Sequence, residues 1–98
     1  MSIQPIQSTY FCEPNCIHSE AFMFQKCFED LRMRSRLRAE EISVVESKSV
    51  MWNNSGIGDP NVRIAFQVMT PGYFFIFQGP QRQYEYHTSL YHFVFIDR

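Results

Sequence analysis

Residues 70–96 read TPGYFFIFQGPQRQYEYHTSLYHFVFI, and this run decides the fold. Thr70-Pro71-Gly72 and Gly79-Pro80-Gln81 are turn sequences, because proline presets φ and glycine tolerates conformations that other residues avoid. Between and after them lie aromatic and β-branched residues, which suit a pleated surface. Tyr73 to Gln78 and Tyr91 to Ile96 are expected to be strands, with Arg82 to Thr88 between them. Successive side chains of a strand point to opposite faces. Tyr73, Phe75 and Phe77 therefore share one face, and Phe74 and Ile76 the other. Tyr84 and Tyr86 oppose Gln83, Glu85 and His87. Tyr91, Phe93 and Phe95 oppose His92, Val94 and Ile96. Turns this short can only join antiparallel neighbours.

Upstream, Val62 to Met69 alternates as well, with Val62, Ile64, Phe66 and Val68 on one side of Arg63, Ala65 and Gln67. This predicts a further strand. Asn53 to Asn61 contains Asn-Asn-Ser-Gly and Gly-Asp-Pro-Asn and is a loop. Ile42 to Ser47 is a short strand, which Val50-Met51-Trp52 continues or follows with a new one. Residues 19–36 have helical spacing: Phe24, Cys27, Phe28 and Leu31 recur at three and four, widened by Phe22 and Met23. Ser19 is the expected N-cap, and Glu20 places a negative charge in the first turn. Residues 1–17, with Pro5 and Pro14 and no periodicity, read as an N-terminal arm. Its Ile3, Ile6, Tyr10 and Phe11 suggest that it packs on something. Residues 18–98 then form a single α+β domain, an N-terminal helix packed on an antiparallel meander of four to five strands.

Composition agrees. The chain has 98 residues, a one-domain length. Hydrophobic residues make up 45%, against 19% charged, so a core forms and disorder is excluded. A formal net charge of −1 gives no bulk attraction to nucleic acid. No apolar run reaches the ~18 residues that span a bilayer. The start has neither the basic residues nor the apolar segment of a secretory signal. A cytoplasmic location is the expectation, and three cysteines clustered in the first third do not form a disulfide scaffold there.

An ordered series of residues carries a resemblance: Trp52, Ser55-Gly56-Ile57-Gly58, Gln67, Thr70-Pro71-Gly72-Tyr73, and Tyr84-Glu85-Tyr86-His87-Thr88. It resembles a family of small bacterial domains, frequent in cyanobacteria, with no assigned activity, so the resemblance implies a fold and not a function. The series covers about half the chain, and the helix before it stands where that family has one. The family often carries cysteines after its Leu-Gly step and near its end. This chain has Asp59 and Ile96-Asp97-Arg98 there, which fits a member kept in a reducing compartment. Asn53-Asn54 replaces the family's Pro-Asp. One residue is missing between Gly58 and Gln67, and the strand from Tyr73 is far richer in Phe.

Three constellations bear chemical readings. Cys12, Cys16, His18 and Cys27 are a zinc alternative, since zinc takes four N/S ligands, although only Cys12 and Cys16 have a suitable spacing. Glu85 and His87 share a strand face, and with His92 they form the acid–base alternative of a small enzyme or ligand-binding protein. There is no nucleophile elbow and no Gly-rich phosphate loop. Arg32, Arg34, Arg36 and Arg38 crowd the helix end, where cations suit the dipole and an acidic protein is a better partner than DNA. The remaining feature is the surplus of rings. One helix cannot cover two apolar sheet faces, so either the arm or another polypeptide must cover the second. The expected function is therefore non-enzymatic protein binding without a cofactor. The surface is built from Tyr73, Phe75, Tyr84, Tyr86, Tyr91 and Phe93 with Arg34 and Arg38 at its rim. A homodimer is the simplest version, and an adaptor or an inhibitor of a larger protein the next.

Overall fold

In the computed structural model, which describes residues 17–97, Ser19 starts the helix. Its Oγ accepts from the Phe22 N–H at 3.1 Å. The helix α1 runs Glu20–Ser35. It ends without glycine: Arg36 takes the left-handed conformation, φ 65°, and its N–H returns to the Arg32 carbonyl. Met23, Cys27 and Leu31 form the buried stripe, flanked by half-buried Phe24 and Phe28. A short 3-10 turn, Ala39–Glu41, leads into the sheet. Residues 1–16, which include most of the expected arm together with Cys12 and Cys16, lie outside the described residues.

Four strands follow: β1 Ser43–Trp52, β2 Thr70–Gln78, β3 Gln83–Ser89 and β4 Phe93–Ile96. They form one antiparallel sheet in sequence order. The α+β meander is as expected, and Val50-Met51-Trp52 continues the first strand, one of the two alternatives; Thr70-Pro71-Gly72 and Val62 to Met69 depart from expectation. β1 is continuous through Lys48 and Ser49, which pair with Phe74 and Tyr73, and its only irregularity is a bulge between Val44 and Glu46. Thr70-Pro71-Gly72 is the start of β2, not a turn. Gly72 lies so close to β3 that a Cβ there would overlap the Thr88 carbonyl. Val62 to Met69 forms no strand. Its residues join no ladder, and the loop from Asn53 runs on to Met69.

The helix lies across all four strands. Phe24 meets Phe75 and Phe77 edge-on at 5.5 and 5.3 Å between centroids, and Phe77 meets Tyr86 at 5.9 Å. Such edge contacts match the positive ring rim to the negative face. Met23, Cys27, Leu31, Phe75, Phe77 and Tyr86 make one sealed cluster. One polar contact crosses it: the Tyr86 hydroxyl donates to Asp30 at 2.6 Å, and Asp30 also holds Arg34. No helix among the described residues is long and apolar enough to cross a membrane.

Candidate functional site

The face opposite the helix is organised around His87, which is 4% exposed. β3 places His87 between Phe74 of β2 and Val94 of β4. The Trp52 ring, at the end of β1, stacks on the imidazole at 4.5 Å, and Phe74 tilts against it at 5.4 Å. Trp52 is itself fixed, because its Nε1–H donates to the Thr88 carbonyl at 2.8 Å. The loop then folds back through successive turns that bury Ile57. Ile57 and Gly58 both have positive φ, 48° and 76°. A β-branched residue rarely adopts that region, so Ile57 stores strain there. Glycine removes the strain at position 58 and leaves room for the imidazole: a Cβ would sit 2.9 Å from His87 Nδ1.

Both ring nitrogens of His87 are engaged. Nδ1 lies 2.7 Å from the Ile57 carbonyl, which can only accept, so Nδ1–H donates. Nε2 lies 2.5 Å from Glu85 Oε2, so a proton joins the ring and the carboxyl. Glu85 and His87 thus come together as the sequence suggests, but Trp52, Phe74, Ile57 and Gly58 shut the imidazole from solvent. His92 does not join them. It is exposed in the turn before β4, with Nδ1 2.9 Å from Ser89 Oγ. This arrangement ties a loop to a sheet.

Most residues of the expected docking surface lie on the face under the helix. Phe75 and Tyr86 are fully buried under α1, while Tyr73, Tyr84 and Phe93 are partly buried around the same core. The Tyr73 hydroxyl donates to the His18 carbonyl. Only Tyr91 of those six rings is exposed. The helix seals this face over Phe75, Phe77 and Tyr86, and the opposite face is shielded in part by the loop, which sequence reasoning did not consider as a cover. Burial and the Asp30 hydrogen bond push the Tyr86 hydroxyl far up. Arg34, expected at the rim, pairs with Asp30 at 3.0 Å and lies over the Phe95 ring at 4.5 Å; the Asp30 bond raises its pKa further. Arg38 is exposed, within 4 Å of Glu40 and Glu41.

Of the zinc alternative, Cys27 is turned into the core, where burial pushes its thiol well above the ordinary range and disfavours the thiolate that metals need. The His18 ring stacks on Phe22 at 4.2 Å. No metal-holding group of three His, Cys, Asp or Glu occurs among the described residues.

What the loop leaves outside is Val62 to Met69. Ile64 is 87% exposed and Phe66 76%, and Val62, Val68 and Met69 are exposed too. Ser55 holds this segment at its middle: its N–H donates to the Phe66 carbonyl at 3.0 Å, and its Oγ accepts from the Phe66 N–H at 2.8 Å. At its ends the Val62 N–H donates to the Asp59 carbonyl, the Val68 N–H turns back to the Phe66 carbonyl, and the Thr70 hydroxyl donates to the Val68 carbonyl. The N–H groups of Arg63, Ile64 and Ala65 donate to none of the described residues. Of the residues of the sequence resemblance, Ser55 holds this segment directly, while Trp52, Gly58, His87 and Thr88 fix the turn around Ile57 that precedes it.

No curated protein and no solved structure matches this chain. A family profile matches residues 24–95, which take in the helix after its first turn and the whole sheet but its last residue. On that match the chain belongs to the family described as a domain of unknown function, DUF8738.

Proposed function

We propose that this domain is a protein-binding module without catalytic chemistry, and that it docks through residues 62–69 of the loop pinned by His87. The observation that supports this reading is the run of exposed apolar side chains on a segment in which the N–H groups of Arg63, Ile64 and Ala65 find no partner among the described residues. Exposed apolar patches mark interaction sites, and a free backbone edge accepts an added strand. The latch behind the segment holds it ready, which lowers the ordering cost of association. The buried imidazole gives the acid–base reading no access to substrate. A cytoplasmic setting suits the free Cys27 thiol.

The test is a photo-reactive residue in place of Ile64, with a control in place of Gln25 on the polar side of α1. Cross-linking in the native host is expected to trap a discrete polypeptide from position 64 and not from 25. Absence of any polypeptide adduct specific to position 64 overturns the proposal.

A further inference from the structure

The arginines at the end of α1 divide into two sets. Arg34 is held by Asp30, and Arg38 is paired with Glu40 and Glu41. Arg32 and Arg36, one turn apart, pair with no carboxylate among the described residues. Like charges at this spacing repel each other. The Arg32 guanidinium is nevertheless positioned, because its Nε–H donates to the Leu37 carbonyl at 3.4 Å. Its two terminal nitrogens have no partner among the described residues, and they form the fork that a carboxylate matches.

These two arginines line a groove of about 650 Å³. Its apolar lining is Phe28, Met33 and Leu37. Phe28 packs on Phe77 with 6.0 Å between centroids, and Leu37 rests against Gly79 in the turn from β2 to β3. Met33 is 80% exposed, and its flexible thioether adapts to the shape of what it meets. Glu29, also in the lining, is engaged by Lys26 and Gln25.

We infer that this groove binds an acidic segment of another polypeptide. Carboxylates of that segment pair with Arg32 and Arg36, and an apolar side chain between them packs on Met33 and Phe28. Charge complementarity is the argument: the chain as a whole carries −1, so two guanidiniums without carboxylates make a local positive site that selects acidic partners. The apolar lining between the cations suits a mixed acidic and apolar peptide. A run of phosphates suits it less, because Glu40 and Glu41 stand beside the groove at Arg38. The groove lies on the helix side of the sheet and residues 62–69 belong to the loop on the other side, so neither surface depends on the other.

Fluorescence anisotropy with a labelled Glu-Glu-Leu-Phe-Glu-Glu peptide tests this on the full chain. Binding is expected to weaken about tenfold between ~20 mM and ~500 mM salt, because exposed charge pairs are screened. Arg32→Gln and Arg36→Gln, each folded by circular dichroism, are expected to weaken it about fivefold or more. Met33→Ser is expected to weaken this peptide and to leave a Glu-Glu-Gly-Gly-Glu-Glu peptide unchanged. In NMR spectra the peptide is expected to shift the Met33 methyl and not that of Met69 in the loop. No binding at about 1 mM protein, equal binding of Lys-Lys-Leu-Phe-Lys-Lys, affinity unchanged in both arginine variants, or a shift at Met69 in place of Met33 overturns the inference. An oligothymidylate of equal charge that binds more tightly, and is lost in the same variants, gives the groove to nucleic acid and overturns it too. Gln25 also lines the groove. A photo-reactive residue there reports a groove partner, and an adduct specific to position 64 reports the loop, so each surface is tested without the other.

Discussion

The two faces of the sheet are closed in different ways. Under the helix, closure is apolar and continuous: Met23, Cys27 and Leu31 interlock with Phe75, Phe77 and Tyr86. On the other face it is local and polar at its centre, a histidine held between a carbonyl and a carboxyl beneath one indole. The first face draws on contact area, which responds to volume. The second draws on a few directional contacts, which respond to geometry. The helix face therefore sets the stability of the fold, and the latch sets the position of residues 62–69.

The sharpest way to break this contrast is a cavity. Phe77→Ala is expected to lose about 3–5 kcal/mol of unfolding free energy in urea titration. A loss below about 1 kcal/mol would mean that the helix face is not the core. Gly58→Ala acts on the other side. The new Cβ meets His87 and must take a φ of 76°. The expected cost is about 1–2 kcal/mol, with a shift in Trp52 fluorescence as the indole leaves the ring; an unchanged spectrum and stability would remove the latch from the account. Ile64→Asp should leave stability within about 0.5 kcal/mol, since the side chain touches water. A larger loss would show that the segment is packed within the monomer.

Part of this was legible in the sequence. Ser19 and the three-four spacing locate the helix to within one residue at each end, because capping and burial are local. The Gly79-Pro80-Gln81 turn and the alternation of β3 were legible for the same reason. Val62 to Met69 misled, since alternation records which side chains are apolar and not whether a neighbouring strand is within reach. Here local turns at Val62 and Val68 and the bonds of Ser55 to Phe66 stand in place of a ladder. The loop as a cover was hidden too: Ile57 is one apolar residue among polar ones, and its role depends on positive φ, which no periodicity reveals. The rings of β2 and β3 read as a surplus only while the chain's own loop is left out of the elements that shield them. Glu85 and His87 were legible as neighbours on a strand, but their confinement came from Trp52, distant in sequence.

Amide hydrogen exchange on dilute protein tests the partition most directly. The account predicts that the amides of Phe75, Phe77 and Tyr86 exchange only on global unfolding, while those of Arg63, Ile64 and Ala65 exchange at close to free-peptide rates. Strong protection of Arg63, Ile64 and Ala65 in the monomer would contradict it, because the segment would then be covered by its own chain and not left for a partner.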